Sequence, residues 1–303
     1  MIPSERAIEL VRGAYDLHVH IEPDVIPRRT HDLELARRFR ERGLAGLVLK
    51  SHYVPTAERA LLARRVVPEV EVLGSLTLNH GVGGLNPVAV EIAAREGARI
   101  VWLPTVDAAN EAREAEALPP EKKPLWAKLQ AEFREAGLPL EPIEVLDGAG
   151  RVVPALRQVL QTVARHNLVL ATGHLGRQEI LKVVEAALEE GVRWVVVTHP
   201  DYPTQALPLS EQRWLAGQGA YLERCLVPSW SGKVPWEQVF AAIRATGPER
   251  NVLSTDLGQP KNPPVEDGLA LFTDRLLEAG FDEDEVRQMA VTNTIRLAKG
   301  GTA

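Results

Sequence analysis

Eight short runs rich in aliphatic and β-branched residues alternate with helical patterns along this chain, and no other feature restricts its fold so strongly. The runs occupy 14–20, 46–52, 70–79, 99–105, 168–174, 194–199, 220–225 and 251–256. Strands separated by helices cannot pair as tight hairpins, and the arrangement that accepts them is a parallel sheet wound by helices. Eight such units in 303 residues, with no long linker, specify a single (β/α)8 TIM barrel over 1–303 rather than an open doubly wound sheet. A helix at 4–11 precedes the units, and an extra C-terminal helix at 284–299 follows them. After strand four the rhythm breaks: residues 106–153 exceed an ordinary connection and read as an insertion over the barrel mouth. Within it the pattern predicts a helix at 124–136 and a small hairpin at 143–153, turning at Asp147-Gly148.

The histidines are not scattered over this framework. Six of the eight fall at strand C-termini, the catalytic end of a parallel barrel. In Asp16-Leu17-His18-Val19-His20, two imidazoles one residue apart on a strand share a face. Pro23 and its acidic neighbours then stop the strand, so the pair sits at its end. Strand two ends in Lys50 and His52, strand three in Asn79 and His80, strand five in His174, strand six in His199 and strand eight in Asp256. His31 and His166 lie elsewhere and read as surface or helix-end residues. Imidazoles and a carboxylate converging on one mouth form a transition-metal ligand set, suited to zinc first, with Mn, Fe or Ni compatible.

The order and spacing of these residues resemble the amidohydrolase superfamily. The resemblance rests on His18-Val19-His20, Thr172-Gly173-His174, Val197-Thr198-His199-Pro200 and Ser254-Thr255-Asp256, and extends to Val291–Leu297 after the barrel. Within that superfamily the chain looks closest to an uncharacterised amidohydrolase-like group with Lys50-Ser51-His52 after strand two and Trp102-Leu103-Pro104-Thr105 after strand four. The resemblance implies a metal-dependent hydrolase that uses metal-activated hydroxide on a small ester, amide, lactone or phosphoester. A metal-dependent lyase or decarboxylase, or a metal-binding barrel without turnover, is the alternative on the same scaffold. It further implies one or two divalent ions held by His18, His20, His174, His199 and Asp256, with Asp256 as the proton shuttle. Many two-metal members bridge their ions with a carboxylated lysine on strand four. This strand four ends in Trp102, Pro104 and Thr105 instead, and Lys50 on strand two is the lysine near enough to substitute, or else to serve as an ordinary cation.

His52, Asn79, His80, Trp102 and Glu223 complete the candidate list as substrate-binding residues, with Glu223 also able to ligate or to accept a bond from a ligand histidine. Gly81-Val82-Gly83-Gly84 could cradle an anion or simply form a turn, and Arg28 and Arg29 after strand one could steer an anionic substrate. Arginine and lysine total 35 against 41 acidic residues; the net charge of −6, mixed through the helices, gives no basic face for nucleic acid, so a small molecule is the expected partner. No apolar run approaches a membrane span and the first residues lack the order of a secretion signal, so a cytoplasmic location is expected. A homo-oligomer is compatible with this composition. The lone cysteine, Cys225, rules out an internal disulfide and reads as a buried thiol.

Overall fold

The computed structural model describes residues 2–119, 121 and 123–301. Eight strands, β1 (Tyr15–Val19), β2 (Gly46–Leu49), β3 (Glu71–Thr77), β4 (Ala98–Trp102), β5 (Val169–Ala171), β6 (Trp194–Val197), β7 (Tyr221–Cys225) and β8 (Asn251–Ser254), pair in chain order. Every pairing is parallel. The sheet closes just beyond the strand ends. Val19 bridges Leu257, the His20 N–H donates to the Leu257 carbonyl at 2.8 Å, and the Asp256 N–H donates to the His18 carbonyl at 2.9 Å. The expected (β/α)8 barrel is therefore the observed one.

Local chemistry sets the wrapping helices. They are α1 (Glu5–Leu10), α2 (Asp32–Arg42), α3 (Ala57–Val66), α4 (Pro87–Arg95), α5 (Ala109–Ala117), α6 (Leu125–Glu135), α7 (Pro154–Arg165) and α8 (Arg177–Glu189), followed by α9 (Leu209–Gly217), α10 (Leu226–Trp230), α11 (Trp236–Thr246) and α12 (Val265–Glu278). α2 stops at Gly43, which takes the left-handed conformation, φ 69°, that a C-cap requires. α4 starts beneath Asn86, whose side chain accepts from the Val88 and Ala89 N–H groups, with Pro87 in the first turn. Two apolar layers lie between sheet and helices, one around Phe39, Leu253 and Phe272 and the other around Val101, Leu160 and Val183. A third cluster draws one or two residues from every strand, among them Leu17, Val48, Leu73, Trp102, Val196 and Val252, and fills the barrel interior.

The C-terminal segment plugs the far end of that interior. It runs as α13 (Glu283–Arg287), a π-helical turn at Gln288–Thr292, and α14 (Asn293–Lys299), in place of the one continuous helix expected. Leu297 and Ala298 join the interior cluster; Asn293 donates to the Asn251 carbonyl at 2.7 Å, and Thr294 Oγ1 accepts from the Tyr15 N–H at 3.3 Å. These contacts tie the N-terminal ends of the strands, the end that carries stability rather than chemistry.

The insertion differs from expectation in two respects. α6 lies where the sequence places it, but α5 precedes it, built on the Ala- and Glu-rich run 109–117. The 143–153 hairpin is a single antiparallel bridge, Leu146 to Val152, around the Asp147 turn, because Ile143 pairs instead in parallel with Ala108. Among the described residues no helix is long and apolar enough to cross a membrane.

Candidate metal centre at the barrel mouth

His18 and His20 stand where β1 meets β8. The β1–β2 register shifts between Asp16 and Val19, a bulge of the kind that re-aims side chains at barrel rims. Both imidazoles are buried, and the Nε2 atom of each lies 3.2 Å from Asp256 Oδ1. His18, His20 and Asp256 thus bring three ligand atoms to one point, each within 4.8 Å of the others. Asp256 has φ 58° and His199 φ 27°, two of only four non-glycine residues with positive φ among those described. Such backbone costs about 1–3 kcal/mol each and concentrates at functional sites.

Partners behind the rings set their tautomers. Both Glu223 carboxylate oxygens lie 3.3 Å from His18 Nδ1, so this nitrogen carries the proton and Nε2 offers its lone pair to the mouth. His199 Nδ1 faces the Gln205 Oε1 acceptor at 3.1 Å with the same consequence. Burial, with the Lys50 charge beside it, pulls the His18 pKa down to about 3; burial and the His174 charge do the same to His199. Burial first, then the Arg28 guanidinium, holds His20 well below the usual imidazole range. The neutral imidazole is the form that coordinates a cation. His20 Nδ1 is buried with no hydrogen-bond partner. These residues fit a divalent metal.

The rest of the mouth is a ring of polar groups over Trp102. Lys50 Nζ lies 2.9 Å from His18 Nε2 and 5.0 Å from the centre of the buried Trp102 ring, and burial lowers its pKa. His52 stacks on His20 at 4.7 Å between centroids and lies 6.0 Å from His174, which is 5.0 Å from His199. Burial raises the Glu223 pKa, and Cys225 Sγ lies 3.8 Å from His18 Nδ1.

Two candidates stand apart from this ring. Asn79 works as a strand-end clamp, donating to the His52 carbonyl at 2.9 Å and to Thr105 Oγ1 at 2.7 Å, and accepting from the Thr105 N–H at 2.8 Å. His80 begins a 3-10 turn, His80–Val82, and its Nε2 sits 2.6 Å from the Glu141 carbonyl of the insertion, not among the other histidines. The glycine turn after it is a plain turn: the Val82, Gly83 and Gly84 N–H groups bond to the Asn79 and His80 carbonyls, which leaves no anion cradle.

Sequence reasoning missed Glu111 and Gln205. Glu111 Oε1, on α5, lies 3.3 Å from His174 Nδ1. Burial alone would raise its pKa, yet the neighbouring His174 imidazole outweighs that and lowers it. The helical composition of 109–117 was the available signal for Glu111; Gln205 lies in an aperiodic turn that offers none.

Solved structures share this barrel. An amidohydrolase from Pseudomonas aeruginosa matches at 12% identity and TM-score 0.63 over 97% of this chain and 98% of its own. An organophosphorus hydrolase from Deinococcus radiodurans matches at 14% and 0.56 over 98% of each chain, and a TatD homologue from Escherichia coli at 14% and 0.52 over 95% and 98%. The barrel that the resemblance implies is thus shared, along nearly its whole length, with these proteins. No curated protein matches significantly. One sequence family spans residues 13–223, from the first strand to Glu223, and on that match the chain belongs to the family of unknown function DUF6282.

Proposed function

We propose that the chain is a metal-dependent hydrolase of the amidohydrolase type, acting on a small ester, amide, lactone or phosphoester. The observation that carries this reading is the meeting of His18 Nε2, His20 Nε2 and Asp256 Oδ1, with Glu223 fixing the His18 tautomer from behind. His18, His20 and Asp256 would hold the cation, zinc by preference for imidazole and carboxylate donors. What the cation supplies is acidity, since water bound to it ionises near pH 7 rather than at about 15.7.

The residues of this chain do the rest. Asp256, with its side chain 20% exposed, is the ligand-set carboxylate open to the mouth, and it accepts a proton and returns it to the leaving group. His174 and His199 face it across the mouth, either orienting the substrate or taking a second ion. Trp102 closes the floor and keeps water from the rear of His18, 5.5 Å away between rings.

The test loads purified protein with zinc, counts bound ions, and follows a panel of esters, lactones, amides and phosphoesters by product. Asp256→Asn should keep cation on the two histidines while turnover falls by a factor of about 10² or more. Loaded protein that hydrolyses no member of the panel, or an Asp256→Asn variant as active as the parent, overturns the reading. Carbon dioxide as product would move the chemistry to the decarboxylase class.

A further inference from the structure

The loop after β1 carries a buried guanidinium that the hydrolase reading leaves without a task. The Arg28 side chain is 6% exposed and that of Asp24 1%. Arg28 Nε donates to Asp24 Oδ2 at 2.8 Å, which uses one of the five guanidinium N–H donors. Neither terminal nitrogen of Arg28 donates a hydrogen bond to a described residue. Arg29 differs: its Nη1 is committed to the Pro260 and Asn262 carbonyls at 3.0 and 2.9 Å, pinning the loop after β8. Of the two loop arginines, Arg29 is exposed and tied to the β8 loop, whereas Arg28 holds its guanidinium buried beside Asp24 with both terminal nitrogens unbonded to any described residue.

Its loop starts at the metal mouth: it leaves His20, whose N–H donates to the Leu257 carbonyl, and comes back to the same strand end where the Arg29 N–H donates to the Gly258 carbonyl at 2.8 Å, two residues beyond Asp256. The charge of Arg28 accordingly acts on His20, His52 and Tyr53. Tyr53 adds a second unmet donor: its hydroxyl is buried with no hydrogen-bond partner, and its ring stands edge-on to His52 at 6.1 Å. A guanidinium held through Nε presents two parallel N–H donors on its free edge, the spacing of the two oxygens of a carboxylate. A lone neutral carbonyl would match one of these donors, whereas a carboxylate matches both and also meets the charge.

We propose that Arg28 and Tyr53 form a subsite that binds a carboxylate of the substrate, so that the bond to be hydrolysed belongs to a carboxylate-bearing molecule. The subsite rests on the reading of the mouth as hydrolytic. Asp24 holds the guanidinium in place and prevents it from folding down onto the ligand histidines.

The experiment compares succinate with succinamide as ligands of the zinc-loaded protein by isothermal titration, in the parent and in Arg28→Gln, Arg28→Lys and Tyr53→Phe. The parent should prefer succinate, and Arg28→Gln should cut that preference about tenfold or more, the value of a charge-assisted pair. Arg28→Lys, which keeps the charge but not the fork, should lose part of it, and Tyr53→Phe about threefold. A preference unchanged in folded Arg28→Gln, as when the zinc alone takes the carboxylate, overturns the subsite. Should Arg28→Gln fail to fold, an unchanged preference in both other variants does the same. Ester pairs differing only in carboxylate against carboxamide should show a parallel fall in their kcat/KM ratio. If no ester is turned over while succinate binding still depends on Arg28, the hydrolase reading fails and the subsite stands; hydrolysis indifferent to Arg28 is the reverse.

Discussion

Gly258 lies where the loop after β8 crosses the end of β1, and replacing it with alanine tests the geometry of the whole centre. Its φ is 136°, and an added Cβ would sit 1.5 Å from the His20 carbonyl oxygen and 2.5 Å from its carbonyl carbon. Real Cβ contacts essentially never fall under 3.0 Å, so roughly 1.5 Å of separation must open at the backbone of His20, one of the candidate ligands. Gly97 is the control, with φ 92° and nothing within 4 Å of the added Cβ. Gly97→Ala should cost only backbone strain, about 1–2 kcal/mol. Gly258→Ala should carry the same strain, about 1–3 kcal/mol of overpacking and about 1 kcal/mol for a weakened bond from His20 to Leu257, near 3–6 kcal/mol together. Displacing a site residue by about 1 Å can cost 10²-fold in function, so zinc affinity should fall far more in Gly258→Ala than in the control. Urea unfolding gives the first quantity and competition with a chromophoric chelator the second. If Gly258→Ala lies within about 1 kcal/mol of Gly97→Ala and binds zinc equally, the placement of His20 against this loop is wrong.

Glu223→Gln should weaken zinc binding by about 10–100-fold with the fold intact, since removing a carboxylate behind a ligand histidine has that order of effect; chelator competition measures it, and a change under threefold would refute the orienting role. In metal-free protein, stability should fall as pH drops from 6.5 toward 3. His18 and His199 have folded pKa values of about 3, below the unfolded 6.5, so the unfolded chain binds more protons across this window and the stability held above it is lost. Urea midpoints that do not fall between pH 7 and pH 4 would contradict the burial of these rings as neutral groups.

The barrel was legible because its signal is repeated: each of the eight strand runs is weak, but parallel pairing requires all of them in order. The meeting of His18, His20 and Asp256 was legible for a related reason, since each lies at or just beyond a strand end, and strand ends converge in a barrel whatever the loops do. His80 shows the limit of that logic. It follows β3 as His52 follows β2, yet the 3-10 turn at His80–Val82 turns its ring to Glu141, and chain position alone does not fix the direction of a side chain beyond a strand. Glu111 shows another. It reaches His174 only because α5 folds back over the mouth, a tertiary fact with no periodic trace. The bulge between Asp16 and Val19 was equally invisible, because a register shift depends on the neighbouring strand and not on the residues that make it.

The place where β1 meets β8 has one more consequence. A barrel is a sheet rolled into a hoop, and this hoop is fastened by the bonds from Asp256 to His18 and from His20 to Leu257. His18 and His20 lie on one side of the fastening and Asp256 on the other, so a cation gripped by all three would act as a rivet through it. Occupancy at a hundred times Kd would then add about 2.7 kcal/mol against unrolling of the entire hoop, not against fraying of one loop. The first strand must also wait for the last before the rivet can seat, so cation binding should report the completed circle and no earlier stage of its folding.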